Sequence, residues 1–332
     1  MAFVVDGAEW DFNGWTTEEV VGAIEALIAR VWTARDRDEV VWIGDDLQTR
    51  PVLSDRDLWS LLSPDAPIML PSELGQELAA WLGSAPRYLD EEPWPDWVLE
   101  TLIQVNVLPA QLNSDQAWAH HHVRMGRSVA CLGIKRSGPH TTVSRLGSAT
   151  VHWVANEATN RAFWRAAINY EGSSAETLER LAPHAFPALY FHTGVWQELR
   201  NFAGGYLAAR AELQRYLAAL DDHGAWAFTF PPPALALGEA AGPDGDALPT
   251  NQVIERRFRG LNLNMAPENP DVRADSKCRR AREITVGDKI LYCEWHGKLE
   301  PHRNRIHVHP PVPESNEKIV IAKFHEHLPL PA

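Results

Sequence analysis

The sequence predicts an α/β chain, α+β in organisation and built of two domains, and three observations carry that expectation. Apolar residues recur at helical spacing behind capping residues, as Val20, Val21, Ile24, Leu27, Ile28 and Val31 do after Thr16-Thr17-Glu18-Glu19. Short β-branched runs stand between such segments, at residues 40–43, 102–108, 129–134 and 150–154. From residue 189 onward the order becomes strand, helix, helix, a Pro- and Gly-rich stretch, and then three strands.

Taken in order, the capping box predicts a helix over about residues 17–34, followed by a strand at 40–43. Ser54 and Ser72 have the character of N-caps for two further helices, the second closed by Gly83. Residues 86–95 read as an acidic loop containing Pro and Trp, and Asn156 caps an amphipathic helix with Ala162, Phe163, Ala166, Ala167 and Ile168. Eleven of the 14 tryptophans precede residue 170, which makes residues 1–185 a Trp-rich α/β domain with a sizeable core. A second domain, residues 186–332, opens with a strand at 189–192 and a short helix at 195–202 that Gly204-Gly205 stops. A longer helix follows at 206–222. Residues 230–250 are an insertion rich in Pro and Gly, and strands resume at 289–295, 303–309 and 318–324.

Composition bounds the function. No run of eighteen apolar residues predicts a membrane span, and the N-terminus lacks the basic start of a secretory signal. Three cysteines without CxxC spacing point to a reducing compartment, so the expected address is cytoplasmic. The net charge of −13 is unevenly spread. From Thr250 onward 14 Lys and Arg face 11 Asp and Glu, while the remainder holds 17 bases and 33 acids. A basic end on an acidic body suits a polyanionic partner met by the end alone. The plainer reading is an acidic surface kept for solubility.

The basic end also carries the candidate site. Residues 293–309 and 318–327 hold six of the 14 histidines together with Lys298, Arg303, Arg305, Lys318 and Lys323. The stretch alternates with the period of a strand, so Arg303, Arg305, His307 and His309 share one face, and Ile306 and Val308 the other. His296-Gly297-Lys298-Leu299 followed by Arg305-Ile306-His307-Val308, with Lys318-Ile319-Val320-Ile321-Ala322-Lys323-Phe324 behind them, resembles the Gly-Lys-Leu turn, the central strand and the closing strand of the RelE/ParE superfamily of small bacterial toxins. The resemblance covers about 140 residues and implies a domain of two helices on a small antiparallel sheet. It also implies messenger-RNA endonuclease or RNA-binding activity, with Lys298 as a catalytic or RNA-contacting lysine, His307 in the place of a phosphate-binding arginine, and Lys323 as a basic residue of the last strand.

The chemistry of the residues points the same way. Cleaving RNA without a metal needs a base, an acid and cations for the phosphorane charge. Lys298, His307 and Arg305, with His296 and His325, are the expected catalytic set. Arg303, Lys323, Arg279, Arg280 and His309 are the expected nucleic-acid contacts, RNA before DNA. The expected function is a toxin-like RNA-binding protein or metal-independent ribonuclease, serving stress or phage defence, without a cofactor and with a protein partner on the N-terminal domain. Two further readings compete. One is a metal centre at His307-Val308-His309 or His325-Glu326-His327. The other is a non-catalytic scaffold subunit, whose basic residues would each be paired with a carboxylate.

Overall fold

The computed structural model describes residues 2–63, 65–91, 98, 100–229 and 249–331. Residues 92–95 of the acidic loop expected at 86–95 and nearly all of the insertion expected at 230–250 lie outside the described residues; the first part of that loop is instead a short helix, Tyr88–Glu91. The chain forms two compact units, Met1–Gly172 and Ser173–Ala332. The division therefore falls earlier than residue 185, because the helix over Ala175–Ala185 packs within the second unit.

The first unit is built on a seven-stranded sheet in the order β2-β1-β5-β7-β6-β3-β4. Its parallel half consists of β1 (Ala2–Val5), β2 (Val40–Trp42), β5 (Val129–Leu132) and β7 (Gly147–Val154). Its antiparallel half adds β3 (Leu102–Val105), β4 (Gln111–Leu112) and β6 (Gly138–Ser144). Strands covered on both faces read as continuous apolar runs, as Phe3-Val4-Val5 does. Helix α1 (Thr17–Arg35) starts on the capping box the sequence predicts: Glu19 N–H donates to Thr16 Oγ1 at 3.3 Å, and Thr16 N–H to the Glu19 carboxylate at 2.8 Å. It buries Val20, Ile24, Leu27, Ile28 and Val31. Helices α2 (Ser72–Ser84), α3 (Tyr88–Glu91), α4 (Ser114–Arg124) and α5 (Glu157–Tyr170) complete the unit. Asn156 caps α5 as expected, its Oδ1 accepting from Thr159 N–H at 3.0 Å. Ser54 caps no helix; it sits in a tight turn at φ 57°, and only a 3-10 turn follows, at Trp59–Leu62.

The second unit begins with α6 (Ala175–Ala185), β8 (Leu189–Phe191) and a 3-10 turn at Val195–Asn201. Helices α7 (Gly205–Phe228) and α8 (Asn251–Gly260) follow, then β9 (Met265–Pro267) and the short helices α9 (Pro270–Ala274) and α10 (Ser276–Ala281). The hairpin of β10 (Glu283–Val286) and β11 (Lys289–Tyr292) precedes β12 (Trp295–Glu300), β13 (Arg303–His309) and β14 (Ile319–His325). The five-stranded sheet runs β8-β14-β13-β12-β9, with β8 parallel to β14 and every other pairing antiparallel.

Helices α7 and α8 cover one face of this sheet. The rings of Phe228, Phe258 and Trp295 meet there at 5.3 to 5.9 Å. Arg257 closes the end of α7 by donating to the carbonyls of Trp226, Ala227 and Thr229. Gly297 is needed on this face: a Cβ there would stand 2.6 Å from Met265 Sδ and Tyr216 Cε1 and 2.8 Å from Ile306 Cγ2. The opposite face is covered at one end by the β10–β11 hairpin, through a cluster of Ile284, Val286, Leu291, Cys293, Val320 and Ala322. What remains of that face carries the site.

Candidate nucleic-acid interface

Directly opposed residues of antiparallel strands share a face. The register pairs His296 with His307 and Lys298 with Arg305 across β12 and β13. Across β13 and β14 it pairs Arg305 with His325 and His307 with Lys323. Six residues singled out from the sequence therefore stand in two rows on one face: His296, His307 and Lys323, then Lys298, Arg305 and His325. The others are elsewhere. Arg303 is exposed at the hairpin end, and its Nε meets Glu300 at 2.7 Å. Arg279 and Arg280 are exposed on α10, the former paired with Glu283 at 3.1 Å. His309 lies past a register shift between His307 and Val308, with its Nδ1 2.8 Å from the Pro310 carbonyl. The segment 296–299, expected to turn, lies inside β12. The turn comes later, at Pro301 and His302, where His302 takes φ 66° as the third residue of a type II turn does.

The two rows differ in environment. Lys298 and Arg305 are half-buried, and among the described residues neither has a carboxylate within ion-pair distance. The Nε of Arg305 is buried without a hydrogen-bond partner. Both residues line a groove of about 730 Å³ that also receives Tyr216, Arg259 and His302. Two of the acids lining it are engaged: Glu212 by Arg215, and Glu300 by Arg303 and Asn304. Glu255 is the third.

The inner row is closed. His307 is fully buried and His296 is 6% exposed, their rings 5.6 Å apart. Burial pushes the His296 imidazole down to about 3, helped by Arg305, Lys298 and Arg282, and holds His307 well below its ordinary value. Both rings are therefore neutral near pH 7. Neither nitrogen of His307 finds a hydrogen-bond partner among the described residues, nor does His296 Nδ1. The nearest charge is Glu268, whose Oε1 lies 3.5 Å from His296 Nδ1 and 3.9 Å from His307 Nδ1. That same oxygen accepts from Arg282 Nε at 2.6 Å.

Glu268 and Arg282 are the residues that sequence reasoning missed. Arg282 follows Arg279 and Arg280, two of the expected nucleic-acid contacts, yet it turns inward and is fully buried. The expectation that His296 and His307 act as an acid–base pair meets the same finding: both are buried, and burial holds both rings neutral near pH 7.

The metal reading finds no support in the geometry. Among the described residues no three His, Cys, Asp or Glu side chains are grouped to hold a metal ion. The first unit holds a second polar cluster, but its acceptors are met from within. Asp6 accepts from Asn113 Nδ2, Gln116 Nε2 and Trp153 Nε1. Glu9 takes the backbone N–H groups of Ile134, Lys135 and Arg136, and Asp115 those of Gly7 N–H and Tyr88 Oη. Burial raises Asp115 to about 7, with Asp6 adding to the effect. These bonds pin loops at the ends of β1 and β5. The His120-His121-His122 run is likewise structural at its first member, whose two ring nitrogens meet Thr142 and Ser144.

No helix among the described residues is long and apolar enough to cross a membrane. No protein-family model, curated protein or solved structure matches the chain.

Proposed function

We propose that the second unit binds RNA, as a toxin-like module of bacterial stress or phage defence, through the face that carries Lys298 and Arg305. The observation behind this reading is that two cations opposed across β12 and β13 line one groove without carboxylate partners. A scaffold has no use for such a pair, and its basic residues would be neutralised as Arg303, Arg279 and Arg282 are. The order of β8, helices α7 and α8 on one sheet face and, after β9, two short helices and the β10–β11 hairpin, the antiparallel strands β12 to β14 supports a toxin-like module. Binding is favoured over cleavage, because two of the expected catalytic imidazoles, His296 and His307, are buried and neutral.

The test is the fluorescence anisotropy of a labelled single-stranded RNA, with wild type and the Lys298→Ala/Arg305→Ala variant, across a salt series. If each cation holds one phosphate, the variant lowers the slope of log affinity against log salt by about 1.4, roughly 0.7 for each contact to a single strand. Equal affinity and equal slope would remove these residues from the interface and leave the scaffold reading. The same samples run on a denaturing gel show whether the RNA is cut; cleavage lost in the variant would extend the reading to a ribonuclease.

A further inference from the structure

The inner row of the basic face has a cover that belongs to the chain itself. Strand β14 ends at His325, and residues 326–331 continue without regular structure. Glu326 N–H donates to the Asn201 carbonyl at 3.0 Å, and His327 N–H to His325 Nδ1 at 3.1 Å. Leu328 is buried, and the carbonyl of Pro329 accepts from Arg282 Nη1 at 3.0 Å. The segment thus reaches over the arginine that holds Glu268, and His327 comes near enough for its charge to act on His296. Around the Arg282–Glu268 pair lie groups whose hydrogen-bonding capacity is unmet among the described residues: both nitrogens of His307, His296 Nδ1 and Arg282 Nη2. Leaving a buried polar group unpaired costs on the order of a hydrogen bond each time, so a native fold seldom keeps several together without a use for them.

We infer that residues 326–331 are a strap that closes the inner half of the anion-binding face and is displaced when the face is fully engaged. The inference rests on the RNA reading above and adds its regulation. Few contacts hold the strap among the described residues: one backbone–backbone hydrogen bond, two between its backbone and the side chains of His325 and Arg282, and one buried leucine. Pro329 and Pro331 keep it out of the sheet ladder, so it can lift without breaking strand pairing. Lifting it removes one of the two acceptors of Arg282 Nη1, the other being the Cys278 carbonyl, and opens the side on which His296 and His307 lie. The cation row of Lys298 and Arg305 then extends inward to Lys323 past two imidazoles, while Arg282 stays paired with Glu268. A phosphodiester backbone, which needs donors at successive positions, fits such a track.

The experiment compares the full chain with Leu328→Asp and with a chain ending at His327, each shown to be folded by circular dichroism and thermal melting. Two readouts are taken: acylation of His296 and His307 by diethyl pyrocarbonate, read by peptide mass spectrometry, and the anisotropy of labelled single-stranded oligouridylate. The expected result is protection of both histidines in the full chain and modification in both variants. RNA binding in the variants should be tighter by at least about tenfold, the worth of one charge-assisted hydrogen bond no longer to be displaced. Unchanged protection in both variants would overturn the strap while leaving the RNA reading to the Lys298 and Arg305 test. Exposed histidines with unaltered RNA affinity would also overturn it, since the segment would then cover nothing the ligand uses. Exposed histidines with no RNA bound by any form would sink the RNA reading and leave the cover standing.

Discussion

Acid should unfold the second unit through two histidines. In the unfolded chain a histidine titrates near 6.5, whereas burial holds His296 at about 3 and His307 well below its ordinary value. A folded value below the unfolded one means that the unfolded chain binds more protons. The stability these residues confer is therefore present above 6.5 and lost as pH falls toward the folded values. Between pH 7 and pH 5 the loss is about 2 kcal/mol for His296, and His307 adds to it in the same direction. A loss of that size is a large share of the about 5–15 kcal/mol that holds a domain folded. The assay is urea unfolding at pH 7 and pH 5, followed by hydrogen-exchange mass spectrometry of peptides from β12 and β13, so that this unit is read separately from the Trp-rich one. His307→Phe, which replaces the ring with an apolar one, should reduce the pH 7 to pH 5 loss. An unaltered pH dependence in that variant would show that His307 titrates as an exposed imidazole does, and the argument from its burial would be wrong.

Three further outcomes are expected. Gly297→Ala should destabilise the second unit by about 1–3 kcal/mol, seen as a lowered melting temperature, because Met265, Tyr216 and Ile306 leave its methyl group no room. Glu268→Leu should cost about 3–5 kcal/mol by leaving the Arg282 charge buried and uncompensated, and adding Arg282→Met should recover most of that loss in the same melt. In the first unit, Tyr88→Phe removes a 2.8 Å bond that favours ionised Asp115 and should cost about 1–3 kcal/mol. Asp115 is raised to about 7, so the stability it lends in its protonated form is lost as pH rises through that value. The Tyr88→Phe deficit, read from melts at both pH values, should accordingly be larger at pH 8 than at pH 5.

Some of this was legible in the sequence, and what was not has physical causes. The start and apolar stripe of α1 were readable because the capping box and the helical period are local signals. Strand β6 was missed because Gly138 to Ser144 is polar and largely open to solvent, with only Val143 as an aliphatic side chain. Ser54 has the composition of a cap but a backbone at φ 57°, which composition does not encode. Gly297 reads as a turn signal; its actual reason is the close approach of Tyr216 and Met265 to β12, a contact made by residues distant in sequence. At the site, alternation placed Arg305 and His307 on one face correctly, since that depends only on the strand period. The closed surroundings of His307 involve Glu268 and Arg282, neither of which announces a contact with β12 or β13 in its own neighbourhood of sequence.

The contrast between the two rows bears on whether this face is a site or merely a packed surface. Around His307 the fold accepts imidazole nitrogens with no partner, although apolar residues of similar size would fill the same space without that penalty. Around Arg305 it accepts a buried Nε with no acceptor and a neighbouring lysine of like charge, where a single glutamate would satisfy both. The same chain supplies that remedy nearby, with Glu300 for Arg303 and Glu268 for Arg282. Such a cost, shared by several neighbouring residues of one face, is expected where the missing acceptor comes from outside the chain, because sequences otherwise keep their local choices consistent with the fold. An acceptor that suits two cations in a groove, and inner donors once the strap is lifted, carries several oxygens spaced along a line and a negative charge at each. That describes a nucleic-acid backbone better than a single carboxylate on a partner protein.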